Sequence, residues 1–462
     1  MKKLLVVLLV LSVHLHAEVR LPSILGDHMV LQQKSTVQLW GWAEPGEDVT
    51  VIASWDPGKS YKATTSSGSK WKISLATPPA GGPYTIQFKG WGAPMVVTDV
   101  LIGEVWVCSG QSNMEWSGSQ QLQQSLEEAP SANNPKIRFF YVPKATSDFP
   151  QEDVRARWVV CNPEDMKKFS AIGYFFAKQI NESTGYPMGM INANWGGTPA
   201  ETWTPLHAVD ADPELKAAAE KLNPMDRWPV KKALAYNAMI YPLQQFSIAG
   251  VLWYQGESNV STHASYASLF TKMIDAWRKE WGKEFPFYFV QIAPFNYGAD
   301  NINGALLREQ QTRAAAFPNT GMVITSDLVD TVTDIHPRKK KEVAARLANL
   351  ALSETYGKQG VIWKSPSYKS MSIEKDKIRI SFNDVSGGLV SVNGAPKSFY
   401  IAGADGKFVI AQAKIEKDNT VLVWSKEVKE PKQVRFGFNN TDIPNLKSKE
   451  GLPVDIFRTE TQ

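Results

Sequence analysis

Val100-Leu101-Ile102-Gly103-Glu104-Val105-Trp106-Val107-Cys108-Ser109-Gly110-Gln111-Ser112-Asn113-Met114 is the stretch that decides the fold. Its first part is almost continuously apolar. A short run of that kind marks a strand buried on both faces, as in a parallel sheet. At Ser109 the chain turns polar. Gly110 permits a tight turn, and Ser112 is then presented at the strand end. A serine there can be a nucleophile when a base stands close. It can equally be a polar turn residue or a helix N-cap.

Working outward, the short apolar pattern returns at 187–192, 249–254, 287–292 and 321–325. Helical periodicity fills the intervals at 169–183, 264–281 and 341–356. The second of these places Leu269, Phe270, Met273, Ile274 and Trp277 on one face. Strands alternating with helices predict an α/β domain, its parallel sheet covered on both sides. In such sheets ligands bind beyond the carboxyl ends of the strands. Residues 204–229, rich in Asp, Pro and Lys, read as an inserted excursion. Before about residue 97, segments such as Thr36-Val37-Gln38-Leu39-Trp40 and Asp48-Val49-Thr50-Val51-Ile52 alternate in polarity between Gly and Pro breaks, which predicts a small β-sandwich. From about residue 360 strands return at 377–382, 398–401, 420–424 and 433–437.

Composition sets the outer bounds. The chain has 462 residues, enough for two to four domains. Hydrophobic residues make up 43% and charged residues 21%, which excludes a disordered, collagen-like or coiled-coil chain. A net charge of +4 on this length is too small to indicate nucleic-acid binding. The 16 Trp suit stacking on sugar rings, and they suit large β-rich cores as well. Residues 1–17 combine Lys2 and Lys3, an apolar core and a final Ala17. They read as a cleaved signal peptide and predict a secreted or periplasmic protein with no membrane insertion. Cys108 and Cys161 are the only cysteines, too few for a disulfide framework.

Chemistry is sought where each strand ends. The second strand runs into Asn194-Trp195-Gly196-Gly197-Thr198, where bare backbone N–H groups can meet an oxyanion. The third runs into Trp253-Tyr254-Gln255-Gly256-Glu257-Ser258-Asn259. Its Gln255 can donate to an oxyanion, and Glu257 can orient a neighbour or accept from a sugar hydroxyl. The last leads through Asp327, Asp330 and Asp334 to Ile335-His336-Pro337. Of six His, only His336 follows a candidate core strand with acids beside it, which suits a general base with a carboxylate orienter. There is no HExxH, no Cys/His cluster and no Walker loop, so no metal and no cofactor are expected. Gly110-Gln111-Ser112-Asn113-Met114 lacks the second glycine of a GxSxG elbow, which argues against the usual α/β-hydrolase arrangement.

Together these loops resemble the SGNH (GDSL-like) hydrolase superfamily, and within it the sialate O-acetylesterase family. The resemblance is carried by Gly103 through Trp116, by Trp195-Gly196-Gly197-Thr198, by Trp253 through Asn259 and by Asp334-Ile335-His336-Pro337. Met29-Val30-Leu31-Gln32-Gln33 and Val434-Arg435-Phe436-Gly437-Phe438 extend it over nearly the whole chain after the leader. It implies a three-layer α/β/α SGNH domain with a parallel sheet at 99–358, between β-sandwich-like domains at 18–98 and 359–462, behind a signal peptide at 1–17. It implies Ser112 as nucleophile, His336 as base, and an oxyanion hole from the Ser112 and Gly196 N–H groups and the Gln255 side chain, with Gly197 the alternative to Gly196. Gln255 stands where many superfamily members have Asn. The superfamily usually has Asp three residues before the His, a position held here by Thr333. Asp334 is taken as the acid; Asp330, or a Ser–His dyad, stays open. Asn113, Trp195 and Glu257 are taken as substrate contacts. The implied partner is an acetylated glycan: sialic acid, or a plant polysaccharide such as xylan, xyloglucan or pectin. A non-catalytic glycan-binding protein is the competing reading, and it needs none of these four loops. Arg308 is a candidate cation for a sialic acid carboxylate.

Overall fold

The two-residue repeat of a buried strand sends its side chains alternately into two cores, and this organises the central sheet of the computed structural model. The structure describes residues 18–298 and 302–460; the leader read at 1–17 lies outside the described residues. The sheet contains β1 (Met95–Gly110), β2 (Asn134–Tyr141), β3 (Trp158–Cys161), β4 (Met188–Asn194), β5 (Gly250–Tyr254), β6 (Phe287–Val290) and β7 (Thr320–Val323). Their order is β7-β6-β5-β1-β4-β2-β3. All pairs are parallel except β2 with β3. Val105, Val107, Trp253 and Phe289 point into one core, with Phe270, Met273 and Trp277. Trp106, Cys108, Leu252 and Val290 point into the other, with Phe176, Ile180, Val343 and Leu347.

The helices that close the two faces are α1 (Ala171–Thr184), α2 (Tyr266–Trp281), α3 (Asn303–Ala314) and α4 (Lys340–Glu354). α1 starts where it does because the Ser170 hydroxyl caps the Gly173 N–H at 3.1 Å. The same hydroxyl donates to the Met114 carbonyl at 2.6 Å, which ties the helix to the turn after β1. The five apolar residues read on the face of α2 are all fully or almost fully buried. β2 and β3 escaped the sequence reading, because Pro135, Lys136 and Arg138 interrupt the apolar pattern of β2 and β3 has only four residues.

β1 is long enough to belong to two structures. Its first half pairs with the strand Gly81–Lys89, and its second half with β4 and β5. The core beneath it continues from Val37, Leu39 and Trp71 to Val107 and Trp253. Residues 367–458 form two antiparallel four-stranded sheets and one two-stranded pair around Ile380, Phe399, Val423 and Phe436. They dock on the central domain through a small apolar cluster of Ala305, Phe438 and Ile456 and through polar contacts. Asp455 accepts from Gln291 and Thr312 at 2.9 Å each, and Arg458 pairs with Glu309 at 2.8 Å. Arg308 is almost wholly buried and donates to the Asn439 carbonyl at 2.5 Å. It belongs to this contact and does not face a substrate, against the expectation. Cys108 and Cys161 are buried free thiols.

Candidate active site

The carboxyl ends of β1, β4 and β5 are level, because Gly110 registers with both Asn194 and Tyr254. Their loops therefore meet. β1 leaves the sheet at Gly110 with φ +128°, and a Cβ there would lie 2.8 Å from the Tyr254 carbonyl carbon. Only glycine fits both the angle and the space. Gln111 then docks its N–H on the Tyr254 carbonyl at 3.0 Å, and Ser112 opens a four-residue helix, Ser112–Glu115. As the first residue of a helix, Ser112 has a backbone N–H without an intrahelical acceptor.

His336 arrives from 224 residues away, and its Nε2 stands 3.0 Å from Ser112 Oγ. Trp116 stacks on the imidazole, with ring centres 4.5 Å apart and planes 18° from parallel. The face of Trp116 is thus spent on holding the histidine. Asp334 Oδ1 lies 3.5 Å from His336 Nδ1 and accepts the His336 backbone N–H at 2.9 Å. Asp330 accepts from the Arg338 N–H at 3.1 Å. Asp327 is clamped by Arg346 and Lys447, each at 2.7 Å. Of the three acids before His336, Asp334 is the one in contact with the ring. Burial, and after it the nearby Lys340 charge, hold the imidazole below its ordinary range, while Asp334 pulls the other way.

The two glycines after β4 separate by role. A Cβ on Gly196 would lie 3.3 Å from the Ser112 Cβ, so this backbone borders the nucleophile. Gly197, at φ +83°, has its Cα against the Trp228 ring instead. The Gly196 N–H is already engaged, however: it donates to Glu115 Oε2 at 2.6 Å. Glu115 Oε1 in turn receives Lys144 Nζ at 2.6 Å.

Three further expectations are corrected. Gln255 is fully buried, and its amide donates to Asn259 Oδ1 at 2.8 Å and to the Thr198 carbonyl at 3.2 Å. Its carbonyl receives the Tyr266 hydroxyl at 2.9 Å. With those bonds made, it braces the loops and has no donor left for an oxyanion. Asn113 is also fully buried. It donates to Glu257 Oε1 at 2.5 Å and to the Ile335 carbonyl at 3.0 Å, and accepts from Lys340 Nζ at 2.6 Å. Asn113 therefore lies behind the nucleophile and grips Ile335, the residue next to His336, and Glu257 accepts from Asn113; both belong to this internal network in place of the substrate contacts expected. Burial raises the Glu257 carboxyl above its usual range. Burial brings the Lys340 ammonium down to about 7, with Glu257 opposing. Trp195 is half-buried at the rim, its ring 6.0 Å from Lys144 Nζ. Sequence reasoning missed Glu115, Lys144 and Lys340. Among the described residues no group of three or more His, Cys, Asp or Glu converges as a metal site requires.

A serine at a parallel strand end, with an imidazole on its hydroxyl and a backbone glycine alongside, places the chain among serine hydrolases that act on carboxylic esters. The family model described as carbohydrate esterase, sialic acid-specific acetylesterase matches residues 102–353. The chain belongs to that family. It is 30% identical over 382 residues to a sialate O-acetylesterase of Homo sapiens, covering 75% of this chain and 73% of the human protein. A sialate O-acetylesterase of Mus musculus is 29% identical over 419 residues, 77% of this chain and 76% of its own. The crystal structure of a carbohydrate acetylesterase from Xanthomonas citri superimposes with a TM-score of 0.87 at 36% identity, covering 96% of this chain and 100% of that one.

Proposed function

We propose that the chain removes O-acetyl groups from sialic acids by a serine mechanism, after export directed by residues 1–17. The observation that carries the mechanism is the 3.0 Å contact between His336 Nε2 and Ser112 Oγ. His336 takes the Ser112 proton as the oxygen attacks the acetyl carbonyl. The oxyanion forms beside the Ser112 and Gly196 N–H groups. His336 then protonates the departing sugar oxygen. Water, deprotonated by the same imidazole, attacks the acetyl-enzyme and releases acetate. Trp116 and Asp334 hold the ring in the plane this needs.

The sialate relatives favour sialic acid as the substrate, and Lys144 supplies a half-exposed cation one carboxylate away from the nucleophile. The Xanthomonas citri protein is described as a carbohydrate acetylesterase, a class wider than sialic acid, and an acetylated glycan of another class is the second reading. Acetate release from O-acetylated sialosides and from an acetylated plant polysaccharide mixture, with Ser112→Ala as the blank, tests both. Ser112-dependent release from sialosides alone is the expected result. Release by Ser112→Ala at the wild-type rate would remove the serine mechanism.

A further inference from the structure

The Gly196 N–H carries one hydrogen, and two groups claim it. The oxyanion of acyl transfer needs a donor beside Ser112, and Gly196 is the glycine whose backbone lies there. In this structure that hydrogen sits on the Glu115 carboxylate at 2.6 Å. A hydrogen bond to a charged acceptor is roughly twice as strong as one to a neutral acceptor. A carboxylate in that place also repels the negative charge that develops on the acetyl oxygen. The site as it stands is therefore short of a donor, since Gln255 is committed to Thr198, Asn259 and Tyr266.

Among the described residues, Glu115 is held on its outer oxygen by Lys144. Lys144 Nζ lies 2.6 Å from Oε1, and the lysine side chain keeps 36% of its surface exposed at the mouth of the site, against 16% for Glu115. Lys144 also faces the Trp195 ring. Lys144 thus offers an exposed cation beside the carboxylate that occupies the Gly196 N–H.

We propose that Glu115 and Lys144 form a substrate-operated gate on the oxyanion hole. Glu115 occupies the Gly196 N–H in the resting enzyme. A substrate carboxylate takes Lys144, and Glu115, left beside a second anion without its cation, turns out to water. The Gly196 N–H is then free for the acetyl oxygen. Glu115 is a positioning residue in this scheme: it makes and breaks no bond of the reaction. The part played by the substrate carboxylate rests on the sialic acid reading above.

The test is steady-state kinetics of wild type, Glu115→Gln, Glu115→Ala and Lys144→Met on two substrates. One is 4-nitrophenyl acetate, which carries no anion to take Lys144. The other is an O-acetylated sialoside. Thermal unfolding of each variant confirms the fold. Glu115→Gln and Glu115→Ala are expected to raise kcat on the aryl acetate about tenfold with KM nearly unchanged, part of the 10²–10³ that an oxyanion donor is typically worth. Lys144→Met is expected to lower kcat/KM on the sialoside at least about tenfold, a loss of about 1.4 kcal/mol. An unchanged or lower aryl acetate kcat in both Glu115 variants overturns the gate, because a bond that merely props the Gly196 loop gives that result. A raised aryl acetate kcat with an unchanged sialoside rate in Lys144→Met overturns the role of the substrate anion. A raised aryl acetate kcat with no sialoside turnover in any form overturns the sialic acid reading and leaves the Glu115 gate standing.

Discussion

Gly110→Ala is the sharpest single perturbation of this site. The new methyl group would overlap the Tyr254 carbonyl oxygen and lie 2.8 Å and 3.0 Å from the Tyr254 carbon and nitrogen. All three are backbone atoms of β5, a fully buried strand paired on both sides, so they have nowhere to go. A φ of +128° for a residue with a Cβ costs about 1–3 kcal/mol, and the forced shift costs about 1–3 kcal/mol more, about 2–6 kcal/mol together. The chain can relieve the overlap only by moving the turn that carries Gln111 and Ser112. A displacement of about 1 Å at the nucleophile is worth about 10²-fold in rate. Acetate release from 4-nitrophenyl acetate and thermal unfolding read the two effects side by side. The expected result is a lower unfolding midpoint with kcat down about 10²-fold. A variant with wild-type midpoint and wild-type kcat would refute the claim that β5 fixes the nucleophile through this glycine.

Two predictions concern the base. Asp334→Asn is expected to lower kcat about 10–10²-fold, well short of the roughly 10⁴ of a fully buried triad acid, because the Asp334 contact is 3.5 Å long and the Trp116 stack still holds the ring; an unchanged kcat would mean a Ser–His dyad. His336 must be neutral to accept the Ser112 proton, so activity is present above its pKa and lost as pH falls through it. With that pKa held below its ordinary 6.5, the acid limb of kcat/KM should fall below pH 6.5. Removing the Lys340 charge with Lys340→Met should move the limb up, and Asp334→Asn should move it down. A wild-type limb at or above pH 6.5, or shifts of the opposite sign, would contradict this account.

Much of this protein was legible in its sequence, for a local reason. Whether a segment is strand or helix is written in its own periodicity, so the apolar run before Ser109, the helical face of 264–281 and the glycines at the strand ends all announced themselves. The resemblance then singled out Ser112, Gly196 and His336, and the structure brings these three together. What each polar side chain at a strand end touches is decided by other segments, and the sequence could not show it. Gln255 looked like a donor to substrate, yet Thr198 and Asn259 take both hydrogens of its amide and Tyr266 of α2 takes its carbonyl. Asn113 and Glu257 looked like substrate contacts until Lys340 arrived from 227 residues away. Arg338-Lys339-Lys340-Lys341 reads as one solvated basic run, and only packing selects Lys340, the residue facing inward at the start of α4, for complete burial. Sequence by itself determined most elements of the central domain, though not β2, β3 or α3, and the resemblance it carries singled out the reactive pair. Tertiary structure decided which polar groups are spent on one another and which remain for a substrate, because a hydrogen bond depends on where its partner is carried and not on the residue type alone.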